Sequence, residues 1–192
     1  MWASMSEYKE IVELLLEHKA DVNAQCGEYG NALQVTSFQG HEKTVQMLLE
    51  HRADANAQGG WLGNALQAAS TSGHDRIVQM LLERGADVNA QGGWFSNALQ
   101  AASFQGHEKI VQMLLGHGAE IYTQRGGYDH PLPAASYQGH ERIVQMLLEY
   151  GADAHVQDGW LGNALQAASS RGHEKIVQML QAVNLPAKRT TL

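Results

Sequence analysis

The sequence has almost no cysteine, no long apolar run and no excess of basic residues. Cys26 is the single cysteine among 192 residues, so the chain cannot form an internal disulfide, which is typical of a reducing compartment. No segment contains 18 consecutive apolar residues, so we expect no membrane-spanning helix. The first residues lack a basic stretch followed by an apolar one, so we expect no secretory signal. These absences predict a cytoplasmic or nuclear protein that does not bind membranes.

The charge balance disfavours nucleic acid as a partner. The chain carries 13 Lys and Arg against 20 Asp and Glu, which gives a formal net charge of −7. Affinity for a phosphate backbone comes from clustered Lys and Arg, and this composition does not supply them. Because 44% of the residues are hydrophobic and 17% are charged, a packed interior is feasible. We therefore expect a folded chain that does not bind nucleic acid directly.

A repeat of 33 residues runs through nearly the whole chain. Each copy contains Asn-Ala-Leu-Gln, then Gly-His, then a run close to Ile-Val-Gln-Met-Leu-Leu. The first motif begins at Asn31, Asn64, Asn97 and Asn163, with a degenerate copy at His130. The second begins at Gly40, Gly73, Gly106, Gly139 and Gly172. So regular a period predicts an array of equivalent structural units.

We divide the chain into a partial unit and five full units. The partial unit spans 1–24, and the full units span 25–57, 58–90, 91–123, 124–156 and 157–189. We interpret the fourth full unit as degenerate. The fifth is interpreted as a C-terminal cap, because Gln181 replaces a Leu that recurs in the other full units, and Pro186 follows. Around Trp2 and Met5 two interpretations stay open: an improvised cap, or a missing upstream portion.

Each unit is predicted to form two helices and a projecting loop. In the second full unit, Asn64 is a good N-cap and Gln67 follows three residues later, as in a capping box. The first helix is predicted over 65–70, and Gly73 should end it in the left-handed conformation. The second is predicted over about 74–83, with its apolar side chains facing both neighbours. One such unit cannot bury its own apolar face, so stacking into an all-α solenoid is expected.

This pattern resembles the ankyrin repeat. The shared features are Gly-His, then Val-x-x-Leu-Leu, then Gly-Ala-Asp-Val-Asn-Ala, on a 33-residue period. The family's usual Thr-Pro-Leu-His is Asn-Ala-Leu-Gln in this chain, a variant similar to repeats common in filamentous fungi. The resemblance implies an ankyrin-repeat solenoid of helix–turn–helix units with projecting loops. It also implies that Asn replaces Thr as the cap, and that Gln replaces His as the hydrogen-bonding side chain.

The sequence offers no arrangement suited to catalysis. It contains no GxxxxGK[ST] loop and no HExxH pair. The recurring histidines are expected to brace the loop between the two helices, and neighbours about 8–10 Å apart are too distant to share a zinc ion. These histidines are His41, His74, His107, His140 and His173. Asp21, Asp54, Asp87 and Asp153 are interpreted as turn residues, and Cys26 as a tolerated loop residue. We predict no enzyme activity, no metal and no cofactor.

The candidate partner-binding residues lie at repeat positions that differ between units and often carry large side chains. Each set of equivalent positions is called a column. One lies on the loop, a second ends the first helix, and a third precedes the loop. The candidates are Trp61, Trp94, Trp160, Phe38, Phe104, Tyr137, Gln105, Arg171, Arg84 and Tyr150. The resemblance implies that they line the concave face, and exposed Trp and Tyr concentrate binding energy. The alternative is that the Trp residues only stiffen the loops. The column of Tyr29, Leu62, Phe95, Tyr128 and Leu161 is assigned to packing.

The resemblance also suggests the kind of function. It implies a non-enzymatic protein–protein adaptor with a regulatory role, whose partner is another protein. Small solitary ankyrin proteins often act through transcription factors, so the resemblance extends to a transcription factor as partner and a role as coregulator. The alternative is a ligand-sensing array that belongs to a larger, receptor-like signalling protein with a nucleotide-binding domain. In either case we expect a monomer.

Overall fold

The computed structural model describes residues 9–122, 130–157 and 159–183, and these residues form short α-helices joined by loops. Within those ranges there are eleven α-helices and no strand, and one 3-10 turn covers Gly27–Tyr29. No described helix is long and apolar enough to cross a membrane. The chain divides into two compact units, Met1–Glu120 and Ile121–Leu192, and each is described by itself below.

The helices follow the repeat. In the first unit they are α1 (Lys9–Glu17), α2 (Ala32–Gln39), α3 (Glu42–Glu50), α4 (Ala65–Ser72), α5 (Asp75–Glu83), α6 (Ala98–Gln105) and α7 (Glu108–Gly116). In the second unit they are α8 (Pro131–Gln138), α9 (Glu141–Glu149), α10 (Ala164–Arg171) and α11 (Glu174–Val183). Helix α4 runs two residues beyond the predicted span, because only the left-handed Gly73, at φ 80°, ends it.

The predicted capping box is present at the start of α4. The Asn64 side chain accepts a hydrogen bond from the Gln67 amide at 2.8 Å, and the Gln67 side chain accepts one from the Asn64 amide at 2.9 Å. The same box opens α2 and α10. At α6 the Asn97 amide donates instead to the Phe95 carbonyl, so only half of the box forms. Local side-chain chemistry therefore defines where each first helix begins.

The same Gln side chains also fasten the loops. Gln67 is 3% exposed, and its Nε2 donates to the carbonyls of Ala90 at 3.1 Å and Ser96 at 2.9 Å. Gln34 donates in the same way to Ala57 and Gly59. One buried amide thus caps its own helix and holds the following loop, which confirms Gln as the hydrogen-bonding residue of this repeat.

The recurring histidines are structural, but their partners differ from the prediction. His74 Nε2 donates to the Phe38 carbonyl at 3.0 Å, so the bond reaches the first helix of the preceding pair and not the loop beside His74. His107 and His173 make the equivalent bonds, to Thr71 and Tyr137. A methyl group at Gly40 would lie 2.5 Å from His74 Cε1, so glycine is needed for this approach as well as for its φ of 81°.

The core comes mainly from the second helices. Ile77, Val78 and Leu81 of α5 are all 0% exposed, and equivalent residues of α7 and α9 are buried in the same way. Met80 and Leu82, which were also expected to face both neighbours, are only half-buried, because they lie to the side of the buried stripe. Complete burial of each aliphatic side chain contributes about 1.5–3 kcal/mol, so this stripe is the main source of cohesion.

The turn after each second helix is held by an asparagine. Asn56 Oδ1 accepts from the Asp87 amide at 2.7 Å, and Asn56 Nδ2 donates to the Gly85 carbonyl at 3.1 Å. In the second unit Tyr122 takes this place: its hydroxyl donates to the Gly151 carbonyl at 3.1 Å and accepts from the Asp153 amide. Tyr122 therefore makes both of the hydrogen bonds that the asparagine side chain makes in the other copies, because a hydroxyl both donates and accepts.

The degenerate first helix, α8, forms despite its altered start. The His130 side chain makes no capping hydrogen bond to the helix amides, which agrees with imidazole being a poorer cap than a short amide. Pro131 and Pro133 lie in the first turn, where no intrahelical amide bond is lost, so the helix still reaches Gln138. The substitutions at Thr123, Arg125 and Asp129 lie outside the described residues.

Replacing the linking glutamine should destabilise the chain strongly. Gln67→Ala removes three buried side-chain hydrogen bonds, to the carbonyls of Ala90 and Ser96 and from the Asn64 amide, so we expect a loss of about 3 kcal/mol in the free energy of unfolding. Gln166→Ala is the matched control, because exposed Gln166 makes only the capping bonds, and it should cost about 1 kcal/mol or less. Denaturant unfolding measures both, and equal losses would contradict the linking role.

Hydrogen exchange tests the stability of α8. Because its cap is poor and Pro133 replaces the linking glutamine, we expect amides of α8 to exchange faster than amides at equivalent positions of α6. The double variant His130→Asn/Pro133→Gln should slow this exchange by an amount that corresponds to about 1 kcal/mol. Equal protection of α6 and α8 in the unmodified chain would show that the substitutions are compensated.

Candidate functional site

The loops of the first unit carry tryptophans that are tied together by their backbones. The Trp94 amide donates to the Trp61 carbonyl at 3.0 Å, and the Trp61 amide donates to the Glu28 carbonyl at 3.0 Å. The Trp61 ring packs edge-on against Phe38 of α2, with ring centroids 5.3 Å apart and planes at 78°. These contacts place one tryptophan from each loop beside the first helices.

The three loop tryptophans, Trp61, Trp94 and Trp160, differ in exposure because only two of them have an aromatic neighbour to pack on. Trp61 and Trp160 each pack on an aromatic residue 23 positions earlier, Phe38 and Tyr137. The residue 23 positions before Trp94 is Thr71, which has no ring. Trp94 is accordingly 80% exposed, against 43% for Trp61 and 59% for Trp160. Trp61 thus fits the stiffening interpretation in part, whereas Trp94 has no such packing role.

An apolar groove lies between these loops and the first helices. Its volume is about 490 Å³. It is lined by Phe38, Trp61, Leu62, Gln67, Thr71, Gly92, Trp94, Phe95 and Gln105, and none of these residues is charged. Phe104 does not line it directly but supports its wall, because the half-buried Phe104 ring packs against Phe95 at 5.5 Å. Four of the predicted residues, Phe38, Trp61, Trp94 and Gln105, therefore share one surface.

The second unit has a smaller aromatic cluster with a cation. The Tyr137 and Trp160 rings lie 5.3 Å apart, and the Arg171 guanidinium carbon sits 4.4 Å from the centre of the Tyr137 ring. Stacking of this kind holds a guanidinium flat while leaving its N–H groups at the edge available to solvent. Three more of the predicted residues are thus brought together here.

Comparison with protein families identifies the repeat. A family model described as ankyrin repeats (3 copies) matches residues 1–92, and one described as ankyrin repeats (many copies) matches 99–148 and 132–181. This chain belongs to the ankyrin-repeat family. Its fold is an all-α ankyrin-repeat solenoid, and such repeats are protein–protein interaction modules and generally non-enzymatic scaffolds. No curated protein matches the chain.

Two predicted site residues lie elsewhere in this ankyrin-repeat chain. Arg84 lines a second groove, of about 1070 Å³, among charged side chains of α3, α5 and α7. Tyr150 is the C-cap of α9 and is 53% exposed, but no ring contact among the described residues joins it to Tyr137 or Trp160. Both belong to the column before the loop, which the sequence analysis grouped with the aromatic columns because it varies between copies and because the resemblance implies a concave position.

The packing column also needs a correction. Leu62 is 6% exposed, as predicted, whereas Tyr29 is 43% exposed. Phe95 was assigned to packing and yet lines the groove, so it is a site residue that the sequence reasoning missed. The signal that could have indicated this is the position of the Phe95 ring next to Trp94 in the sequence. Tyr128 lies outside the described residues.

Charged residues at the start of successive second helices form a row on the surface. Arg76 approaches Glu42 at 3.5 Å and Lys109 approaches Asp75 at 3.0 Å, so the row forms ion pairs between successive helices. Exposed pairs of this kind contribute about 0.2–1 kcal/mol each. In the described part of the chain, no group of three or more His, Cys, Asp or Glu is placed to hold a metal ion.

Stability measurements separate the two tryptophan roles. Trp61→Ala removes an aromatic pair with Phe38, so we expect a loss of about 1–2 kcal/mol and a melting temperature lower by about 3–6 °C. Trp94→Ala removes a side chain that is 80% exposed, so its melting temperature should change by no more than about 1 °C. If Trp94→Ala melted as early as Trp61→Ala, Trp94 would be structural.

Proposed function

We propose that this chain is a non-enzymatic regulatory adaptor that binds a partner protein through the aromatic surface of its first unit. This surface consists of the residues that line the apolar groove, including Trp94. The observation that carries the proposal is Trp94, a large ring left 80% exposed beside an uncharged groove. Trp is among the residues that dominate binding energy when a partner buries them.

The loops that carry this surface are held in place before any partner arrives. Gln67 fastens the carbonyls of Ala90 and Ser96, which flank Trp94, and the Trp94 amide is bonded to the Trp61 carbonyl. A partner therefore does not have to order the loop backbone on binding, and the entropic cost of association is smaller. This favours recognition by a rigid surface.

The distribution of charge supports the same face. No charged residue lines the aromatic groove, whereas the groove on the second helices contains Glu42, Asp75, Arg76, Lys109 and other charged residues. The centres of protein interfaces are depleted of charge and enriched in aromatic residues. The exposed ion-paired face resembles ordinary solvated surface, so we assign binding to the aromatic face.

The second unit extends the proposal. Trp160, Tyr137 and Arg171 form an exposed aromatic cluster of their own, and Arg, Trp and Tyr are the residue types enriched at interfaces. We propose that this cluster also contacts the partner. The resemblance to small ankyrin proteins favours a transcription factor as that partner, a coregulator role and a monomeric chain.

Affinity capture with matched variants tests the proposal. The full chain and the double variant Trp94→Ala/Gln105→Ala are immobilised in parallel, and the proteins retained from native cells are identified. We expect at least one protein to bind the full chain with a dissociation constant that the double variant raises about 30-fold or more. A transcription factor in that set would support the coregulator role.

The control variant is Lys43→Ala, on the charged face, which should leave the affinity unchanged. Both variants should melt within about 2 °C of the unmodified chain, because the altered side chains are exposed. A partner that binds the double variant as tightly as the full chain, but is lost with Lys43→Ala, would move the binding site to the second helices.

A further inference from the structure

The aromatic groove of the first unit offers rings but no charge. Phe38, Trp61, Trp94 and Phe95 supply its ring surfaces, and its remaining lining residues are uncharged. An acidic segment would find no cation there, and it would meet a chain of net charge −7. A basic segment would find no carboxylate. The groove therefore selects an uncharged, apolar segment of the partner, on the premise that this face binds protein.

Of the amide and hydroxyl side chains that line the groove, one remains available to a ligand. The Gln67 side chain is already hydrogen-bonded in the capping box and to the loop carbonyls, and the Thr71 hydroxyl donates to the Gln67 carbonyl at 2.8 Å. Gln105, at the end of α6, is exposed, and its side chain makes no hydrogen bond or ion pair with the residues that the structure describes. Its amide can donate to a carbonyl of a bound segment and accept from an N–H group.

This combination discriminates between backbone conformations. An α-helical segment has already paired its carbonyls internally, so it would leave Gln105 unused. A β-strand is recognised by adding to a sheet edge, and the described residues contain no strand; the Trp61 and Trp94 amides are also already bonded. A polyproline II segment has no internal hydrogen bonds, so its carbonyls are free to accept.

Proline-rich segments also suit the ring surfaces. Grooves lined by aromatic side chains bind polyproline II helices, because the proline rings pack on the aromatic rings and the backbone is already ordered. Because little entropy is lost when such a segment binds, a shallow groove of about 490 Å³ suffices for measurable affinity. We infer that this groove binds an uncharged, proline-rich segment of the partner in the polyproline II conformation.

The test uses the full chain and a blocked peptide of nine prolines, acetylated and amidated so that it carries no charge. Indole N–H signals in NMR spectra report each tryptophan separately. We expect the peptide to shift the signals of Trp61 and Trp94 in a saturable manner and to leave that of Trp160 unchanged. Trp94→Ala should weaken binding about tenfold or more, and Gln105→Ala by a smaller factor.

Two control peptides separate the alternatives. A blocked Gly-Ser peptide of nine residues is flexible and uncharged, and a blocked, uncharged Ala-Gln peptide of about 20 residues is long enough to form helix in water; both should bind at least tenfold more weakly than the proline peptide. Lys43→Ala, on the charged face of the second helices, is the variant control and should leave proline-peptide affinity unchanged. If the helical peptide binds as well as the proline peptide, or if millimolar proline peptide shifts neither Trp61 nor Trp94, the inference is wrong.

These outcomes are distinct from failure of the adaptor function itself. If a captured partner protein depends on Trp94 while the proline peptide does not bind, protein binding stands and the polyproline II inference falls. If no captured protein depends on Trp94, the adaptor proposal falls for this face, whatever the peptide does.

Discussion

The buried glutamine near the start of α2 and of α4 is the contact on which both the fold and the candidate site of the first unit depend. Gln67 lies at the start of α4, where its oxygen completes the capping box and its amide nitrogen reaches the loop that carries Trp94. Because the side chain is 3% exposed, each of these bonds is made away from competing water. The beginning of a helix and the position of a ring on the surface are therefore determined by the same side chain.

This coupling explains how short loops without strands can present a binding surface. Regular ladders are absent from the described loops, yet Trp61 and Trp94 are joined by a backbone bond, and the glutamines fix the loop carbonyls on either side. Binding residues are commonly placed on loops that a rigid scaffold positions. In this chain the glutamine side chains of the helices hold the loop backbone, while the Trp94 ring on that loop stays exposed.

Features that depend on neighbouring residues could be predicted from the sequence. The Asn and Gln of the capping box and the left-handed Gly73 follow from local chemistry, and the structure confirms them. The partner of His74 could not be deduced, because it depends on how closely one helix pair approaches the next. The exposure of Trp94, in contrast, could have been predicted from the sequence. A comparison of Phe38, Thr71 and Tyr137 shows which tryptophan lacks a ring to pack on. The groove that Arg84 lines could not be deduced, because differences between copies do not distinguish one face of the repeat from another.

The histidine bond has a consequence for how such an array changes in evolution. The glycine and histidine of one Gly-His motif are adjacent in the sequence, but His74 packs on Gly40, and His107 packs on Gly73. A duplication or deletion of any whole 33-residue length therefore restores every such pair, wherever it begins. Gain or loss of a few residues within a copy shifts one partner relative to the other and leaves a histidine facing a side chain where glycine is required. Array length should accordingly be inherited in whole repeats, while single substitutions on the exposed loops remain free to accumulate.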